Sequence, residues 1–96
     1  MIVSFGDRMT EALFHGQRGE QTRRFPPDLV RASIRKLDTL NAAQSLQDLR
    51  CPPGNRLELL RGDLRDFYSI RVNDQWRIIF RWIDGNAHEV RIVDYH

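Results

Sequence analysis

Between residues 67 and 95 the chain alternates dense runs of β-branched and aromatic residues with short polar breaks, a spacing that predicts an antiparallel meander. Residues 67–72, 75–82 and 87–95 read as three strands. Asn73-Asp74 separates the first two, and Asp84-Gly85-Asn86 is a strong hairpin turn before the third. Leu57, Leu59 and Leu60, just ahead of Gly62-Asp63, suggest a short strand before these, giving about four in the meander. At the other end of the chain, Ile2, Val3 and Phe5 suggest an opening strand closed by Gly6-Asp7. Separated from the meander by helices, that strand is free to pair with it in parallel.

The helical part lies between. Met9, Ala12 and Leu13 mark a short helical turn stopped by Gly16, and residues 17–25 are polar and basic. Pro26-Pro27 stands where a first helical position loses nothing by lacking an N–H. Val30, Ile34, Leu37 and Asn41 then form one stripe with Ser33 and Leu40 beside it, while Arg31, Arg35, Lys36 and Asp38 take the other flank. Leu46 and Leu49 continue the apolar spacing after a break or bend near Asn41, and residues 51–55, Cys-Pro-Pro-Gly-Asn, end it. The expected fold is α+β: N-terminal helices packed on a twisted, mainly antiparallel sheet of four to five strands. Ninety-six residues make a single domain over 1–96, which buries about 65% of its unfolded surface in one modest core.

Composition narrows the function classes. Cys51 is the only cysteine, which excludes an internal disulfide and a cysteine-based zinc site. His15 and His88 show no metal-ligand spacing, so neither metal nor cofactor is expected. The longest aliphatic or aromatic run is Ile78-Ile79-Phe80, far short of a membrane span, and the opening residues read as a strand rather than a signal peptide. The expected setting is cytoplasmic, without membrane contact. Of 15 basic residues all but Lys36 are arginine, and 13 acids leave a net charge of only +2. Blanket coating of nucleic acid is excluded, but a local basic site is not.

Arg71, Arg77, Arg81 and Arg91 lie on predicted strands, whose interiors favour neutral residues. With a strict two-residue turn at Asn73-Asp74, Arg71 lies opposite Trp76 and the four do not share a face; a turn one residue longer changes that. Two readings stay open. The arginines are solvated or paired with Asp66, Asp74 or Glu89, or they cradle phosphate, for which guanidinium offers rigid bidentate donors. Arg61 stands before Gly62-Asp63, where glycine permits close approach. The sequence ends in Asp94-Tyr95-His96 directly after an apolar run, placing an acid, a phenol and an imidazole at the end of an ordered strand. Histidine trades protons near neutrality, and tyrosine donates to or stacks on a base. Trp76 and Trp82 share a strand face with Ile78 and Phe80 and read as core or rim.

Several segments together resemble a known family. Residues 53–58, Leu60-Arg61-Gly62-Asp63, residues 68–82 (Tyr-Ser-Ile-Arg-Val-Asn-Asp-Gln-Trp-Arg-Ile-Ile-Phe-Arg-Trp) and Asp94-Tyr95-His96 are similar to the HigB toxins, in the RelE/ParE superfamily of type II toxin–antitoxin systems. The opening Met1-Ile2 and Ser4-Phe5 and residues 37–43 extend the likeness over nearly the whole chain. The resemblance implies a toxin that cuts mRNA in the A site of the 30S subunit, without a metal, by attack of a 2′-hydroxyl on the adjacent phosphate. It implies neutralisation by a HigA-type helix-turn-helix antitoxin, whose complex with the toxin binds operator DNA. By position, Arg61 and Arg77 become the phosphate-holding residues and Tyr95 and His96 the terminal pair, with Asp94 beside them. Arg56, Arg71 and Arg81 become contacts to mRNA or 16S rRNA. Some relatives carry histidine where Glu58 stands, and lysine is frequent at Arg61. Arginine, with a pKa above about 12, cannot shuttle protons, which shifts that task toward His96 or the rRNA. Two other readings remain: a gyrase-inhibiting toxin of the same superfamily that cuts no RNA, and a weak toxin acting mainly as antitoxin-binding co-repressor.

Overall fold

The computed structural model describes residues 1–51 and 53–95. Two α-helices, α1 (Arg8–Phe14) and α2 (Val30–Ala42), precede four strands: β1 (Glu58–Leu59), β2 (Tyr68–Arg71), β3 (Trp76–Ile83) and β4 (Asn86–Asp94). Short 3-10 turns at Pro27–Leu29, Leu46–Arg50, Pro53–Asn55 and Gly62–Leu64 join them. The strands lie in the order β1-β2-β3-β4, each antiparallel to the next. The expected α+β layout is therefore the observed one, with four strands in the sheet.

The β3–β4 hairpin follows from two residues. Asp84 and Gly85 both have positive φ, +52° and +79°, as a tight turn matched to strand twist requires, and Ile83 pairs with Asn86 across it. Farther along, the register shifts between Ile79 and Arg81, where Glu89 takes φ +54° and two residues of β4 face one of β3.

The expected opening strand is reduced to two isolated parallel bridges, Ile2 to Ala87 and Phe5 to Val90. The bulge explains why no continuous ladder forms. Between the bridges, Glu89 N–H donates to Ser4 Oγ at 2.8 Å instead of to a backbone carbonyl. Gly6 completes the approach, since a Cβ there would lie 2.9 Å from Glu89 O.

Helix α1 starts at Asp7, whose carboxylate accepts from Thr10 N–H at 2.8 Å, and stops before Gly16 at φ +71°. Thr10 is fully buried, and its Oγ1 accepts the Ile92 N–H at 2.9 Å, so a helix side chain satisfies an edge amide of β4. Thr10→Val keeps the shape but strands that amide. The expected loss is about 1–3 kcal/mol of stability, measured by urea unfolding.

Helix α2 buries Val30, Ser33, Leu37 and Leu40 against the sheet. The buried stripe is thus rotated from the expected one: Ser33 and Leu40 replace Ile34 and Asn41 at its centre. Asn41 is exposed, and its Oδ1 accepts the Ile2 N–H at 2.9 Å, tying the N-terminal segment to the helix end. Leu13, Phe25 and Leu49 join these residues over Ile70, Ile78, Phe80, Val90 and Ile92 to form the core. Trp76 and Trp82 are partly buried against it, Trp76 edge-on to Phe25 at 5.1 Å. Cys51 is exposed, in the loop rather than the core.

Candidate functional site

The connection between β2 and β3 decides where the arginines point. Asn73 Oδ1 accepts two amides, Gln75 N–H at 2.9 Å and Trp76 N–H at 2.7 Å. Trp76 O accepts from Val72 N–H at 3.0 Å and Asn73 N–H at 3.3 Å. This side-chain-closed turn is one residue longer than a strict two-residue hairpin, and it places Arg71 directly opposite Arg77. Arg91 lies opposite Ile79, and Arg81 opposite His88 beyond the bulge. Arg71, Arg77, Arg81 and Arg91 therefore occupy one face of the sheet, the face turned away from the helices.

Ile79 and Ser69 lie on that same face, yet are 0% and 1% exposed and outside the main core cluster. The aliphatic stems of the surrounding arginines are suited to covering them. Glu58 pairs with Ser69 and so shares the face from β1.

The four arginines are not equivalent. Arg81 Nη1 donates to Glu89 Oε2 at 2.9 Å, and Arg71 Nη2 pairs with the Asp74 carboxylate. Arg77 has no such partner: its Nε and Nη1 are buried and unbonded among the described residues, as is Arg71 Nε. Buried guanidinium nitrogens without acceptors are costly, and an anionic ligand supplies what they lack. The Arg77 guanidinium stands 5.2 Å from the centre of the Tyr95 ring, a cation–π contact that fixes its position.

Tyr95 is held in turn by its backbone, whose N–H donates to Gln75 O at 2.6 Å. Asp94 pairs with Trp76 across β3 and β4, and its Oδ2 accepts from Gln75 Nε2 at 3.1 Å. The β2–β3 turn and the end of β4 thus form one structure that carries Arg71, Arg77, Asp94 and Tyr95.

Arg56 belongs near this end of the sheet. The hydrogen bond and charge of Arg71 hold the Asp74 carboxyl below its usual range, and the charges of Arg56 and Arg77 act in the same direction. Arg56 takes φ +47° after Asn55, which is wholly buried. Asn55 Oδ1 accepts from Lys36 Nζ, and its Nδ2 donates to Leu49 O at 3.3 Å. Composition gave no sign of this anchor, nor of the parts played by Asn73 and Gln75. Asn73 carried a usable signal, because asparagine commonly bonds backbone amides two or three residues on.

Arg61 is placed differently. Leu60 N–H donates to Phe67 O at 2.8 Å, so exposed Arg61 stands near the start of β2. Arg71 and Arg77 lie at its far end, about 13 Å along the strand at the usual rise per residue. No hydrogen bond or ion pair among the described residues joins Arg61 to Arg77. The role expected of His96 falls outside the described residues.

Asp74 is a competitor for any anion approaching this face. With its carboxyl depressed, the Arg71 pair and any stability it lends are present above the ordinary carboxylate range, and both are lost as pH falls through the lowered value. Asp74→Asn frees Arg71 at neutral pH. Affinity for a single-stranded oligonucleotide is expected to rise by less than about fivefold, as befits an exposed pair. Fluorescence anisotropy across a KCl series should also show a steeper salt dependence, from one more cation engaged. Unchanged affinity and slope would exclude competition by Asp74.

Comparison with known proteins bears on this arrangement. Residues 3–96 match the HigB-like toxin family, described as the RelE-like toxin of type II toxin-antitoxin system HigB. The chain is 45% identical over 87 residues to Toxin HigB-1 of Vibrio cholerae, covering 91% of this chain and 90% of that protein. It is 42% identical over 96 residues, the full length of both, to Endoribonuclease HigB of Proteus vulgaris. In fold it is similar to a chain of the YoeB-YefM complex from Staphylococcus aureus, with a TM-score of 0.60 and 14% identity, covering 100% of this chain and 98% of that one.

Proposed function

The chain belongs to the HigB-like family of RelE-like toxins of type II toxin–antitoxin systems, and on that premise we propose that it is a ribosome-dependent endoribonuclease. Its substrate is mRNA in the ribosomal A site. The observation that carries this reading is the Arg71–Arg77 pair, directly opposed across two strands, with unbonded buried guanidinium nitrogens beside Tyr95.

The chemistry suits such a site. The 2′-hydroxyl of one nucleotide attacks the adjacent phosphorus, its proton passes to a base, and the 5′-oxygen leaves with a proton from an acid. The products are a 2′,3′-cyclic phosphate and a free 5′-hydroxyl. Arg77, with Arg71, stabilises the charge gathering on the non-bridging oxygens, where preorganised donors contribute most. Arg61, at the other end of β2, holds a neighbouring stretch of the RNA backbone, and Tyr95 stacks on or orients a flanking nucleotide. Arginine remains protonated throughout, so proton transfer falls to His96 or to the rRNA. Arg56 and Arg81 face mRNA or 16S rRNA.

A net charge of +2 is poorly suited to gripping naked RNA, so the ribosome supplies the placement that a small protein lacks. A HigA-type antitoxin neutralises the toxin, and operator DNA is reached through their complex.

Translation of a defined mRNA with purified ribosomes tests this reading. Codon-phased cuts that require ribosomes are the expected result. Equal cutting of free transcript would refute ribosome dependence. DNA breaks with intact mRNA would move the protein to gyrase inhibition, and antitoxin binding with neither would leave it a co-repressor.

A further inference from the structure

We propose that Arg91 is a further RNA-binding residue, holding a phosphate next to the scissile one; this rests on the endoribonuclease reading above. Arg91 lies on the arginine face of the sheet, on β4 opposite Ile79. Arg77 lies opposite Val93, so the two arginines are diagonal neighbours, about 7–8 Å apart in an antiparallel pair. Their heads are set toward different places. The Arg77 guanidinium stands by Tyr95, two residues beyond Val93, whereas Arg91 starts two residues before it. With the scissile phosphate at Arg77, Arg91 meets the next one along the strand.

The stem of Arg91 is braced and its head is unspent. A Cβ at Gly6 would lie 3.1 Å from Arg91 Cδ and 3.4 Å from its Cγ, so glycine lets the N-terminal segment run close beside the stem. Gly6 N–H pins that segment by donating to Val90 O at 2.8 Å. Bracing reduces the rotamer entropy that a long side chain loses on binding. The guanidinium makes no ion pair among the described residues, whereas Arg71 holds Asp74 and Arg81 holds Glu89. The β4 bulge is the reason. In a regular strand Glu89, two residues before Arg91, would lie beside it on this face. With the extra residue His88 stands opposite Arg81, and the Glu89 carboxylate accepts from Arg81 Nη1 at 2.9 Å. The bulge thus commits Glu89 to Arg81 and leaves the Arg91 charge for a ligand.

The experiment is fluorescence anisotropy of a labelled 2′-O-methyl RNA oligonucleotide, which 2′-hydroxyl attack cannot cut, titrated with wild type, R91A, R91M and R91K across a KCl series. R91A and R91M should bind about fivefold more weakly at low salt, with a log–log salt slope smaller by about 0.7, the share of one phosphate contact on a single strand. R91K keeps the charge and should keep the slope. R91M retains most of the stem, so a wild-type slope in R91M would mean that the stem packs and the charge binds nothing, overturning the proposal. An unchanged slope in R91A, or no wild-type binding at the lowest salt, would also overturn it. On ribosome-bound mRNA, R91M should raise the concentration for half-maximal cleavage about fivefold and change the single-turnover maximum less than about twofold. A lower maximum at an unchanged half-maximal concentration would move Arg91 to the scissile phosphate and overturn its assignment to the neighbour. Loss of antitoxin binding in R91M with the RNA slope unchanged would make Arg91 an antitoxin contact instead. A wild type that leaves ribosome-bound mRNA intact refutes the endoribonuclease reading, while the oligonucleotide slopes still decide whether Arg91 holds a phosphate.

Discussion

Arg77→Ala is expected to slow mRNA cleavage on the ribosome by about 10²–10³-fold, the usual consequence of removing a preorganised donor from a developing negative charge. The magnitude follows from the surroundings of Arg77. Its Nε and Nη1 are buried without partners among the described residues, so their hydrogen bonds to a phosphate replace none made there. Arg71 and Arg81 already hold carboxylates and must exchange one anion for another. The same substitutions at those two positions should therefore cost far less. Arg77→Lys keeps the charge but loses the planar fork that bridges two phosphate oxygens, and recovers only part of the rate. The measurement is single-turnover cleavage of a defined ribosome-bound mRNA, alongside thermal unfolding and antitoxin binding. The fold should persist, because Arg77 lies on the sheet face opposite the core and its buried atoms are those left unbonded. A fully active R77A protein would remove Arg77 from the phosphate site. Loss of antitoxin binding together with activity would point to unfolding.

Much of this was legible in the residues, and the parts that were not have definite causes. The meander and its second turn follow from strand patterning and from Asp84-Gly85, whose paired positive φ values few other dipeptides accept. The first turn was ambiguous because Asn73-Asp74 fits either a two-residue hairpin or a longer loop. The deciding interaction is the Asn73 side chain closing on two amides two and three residues on, a local side-chain choice that strand periodicity alone does not encode. That single added residue moves Arg71 from opposite Trp76 to opposite Arg77 and gathers the arginines on one face. The opening strand was read correctly as extended, but its interruption depends on the Glu89 bulge, 85 positions from Ser4. Helix α2 was placed correctly and turned slightly wrongly, since Ser33 and Leu40 meet the sheet where Ile34 and Asn41 were expected. The candidate site was found as residue types before it was found as geometry. Arg71, Arg77 and Tyr95 come together, with Asp94 carried on the same end of β4 but paired opposite Trp76, whereas Arg61 stands at the other end of β2.

Phe80→Ala tests the opposite face of the same strand, with the largest expected loss of stability. Phe80 is fully buried in the core and lies beside Tyr68, with stacked rings 6.0 Å apart, and Trp82, edge-on at 6.3 Å. It sits opposite the bulged pair of β4, where the ladder is already irregular. Truncation removes the ring and leaves a void that neighbouring rigid strands can close only in part. The expected cost is about 3–5 kcal/mol. A domain of this size has about 5–15 kcal/mol in all, so the variant sits near the edge of folding at body temperature. Urea unfolding gives the stability loss, and a loss of less than about 1 kcal/mol would show that Phe80 is not a packing centre. The pairing with R77A is informative because the two residues are three apart on β3 and point to opposite faces. F80A is expected to lose toxicity in cells through low abundance, yet to cleave at nearly the wild-type rate per folded molecule in the cold. R77A should be abundant and inactive. If F80A were instead well folded but slow, the arginine face would depend on core packing through the sheet, and the separation of the two faces would fail.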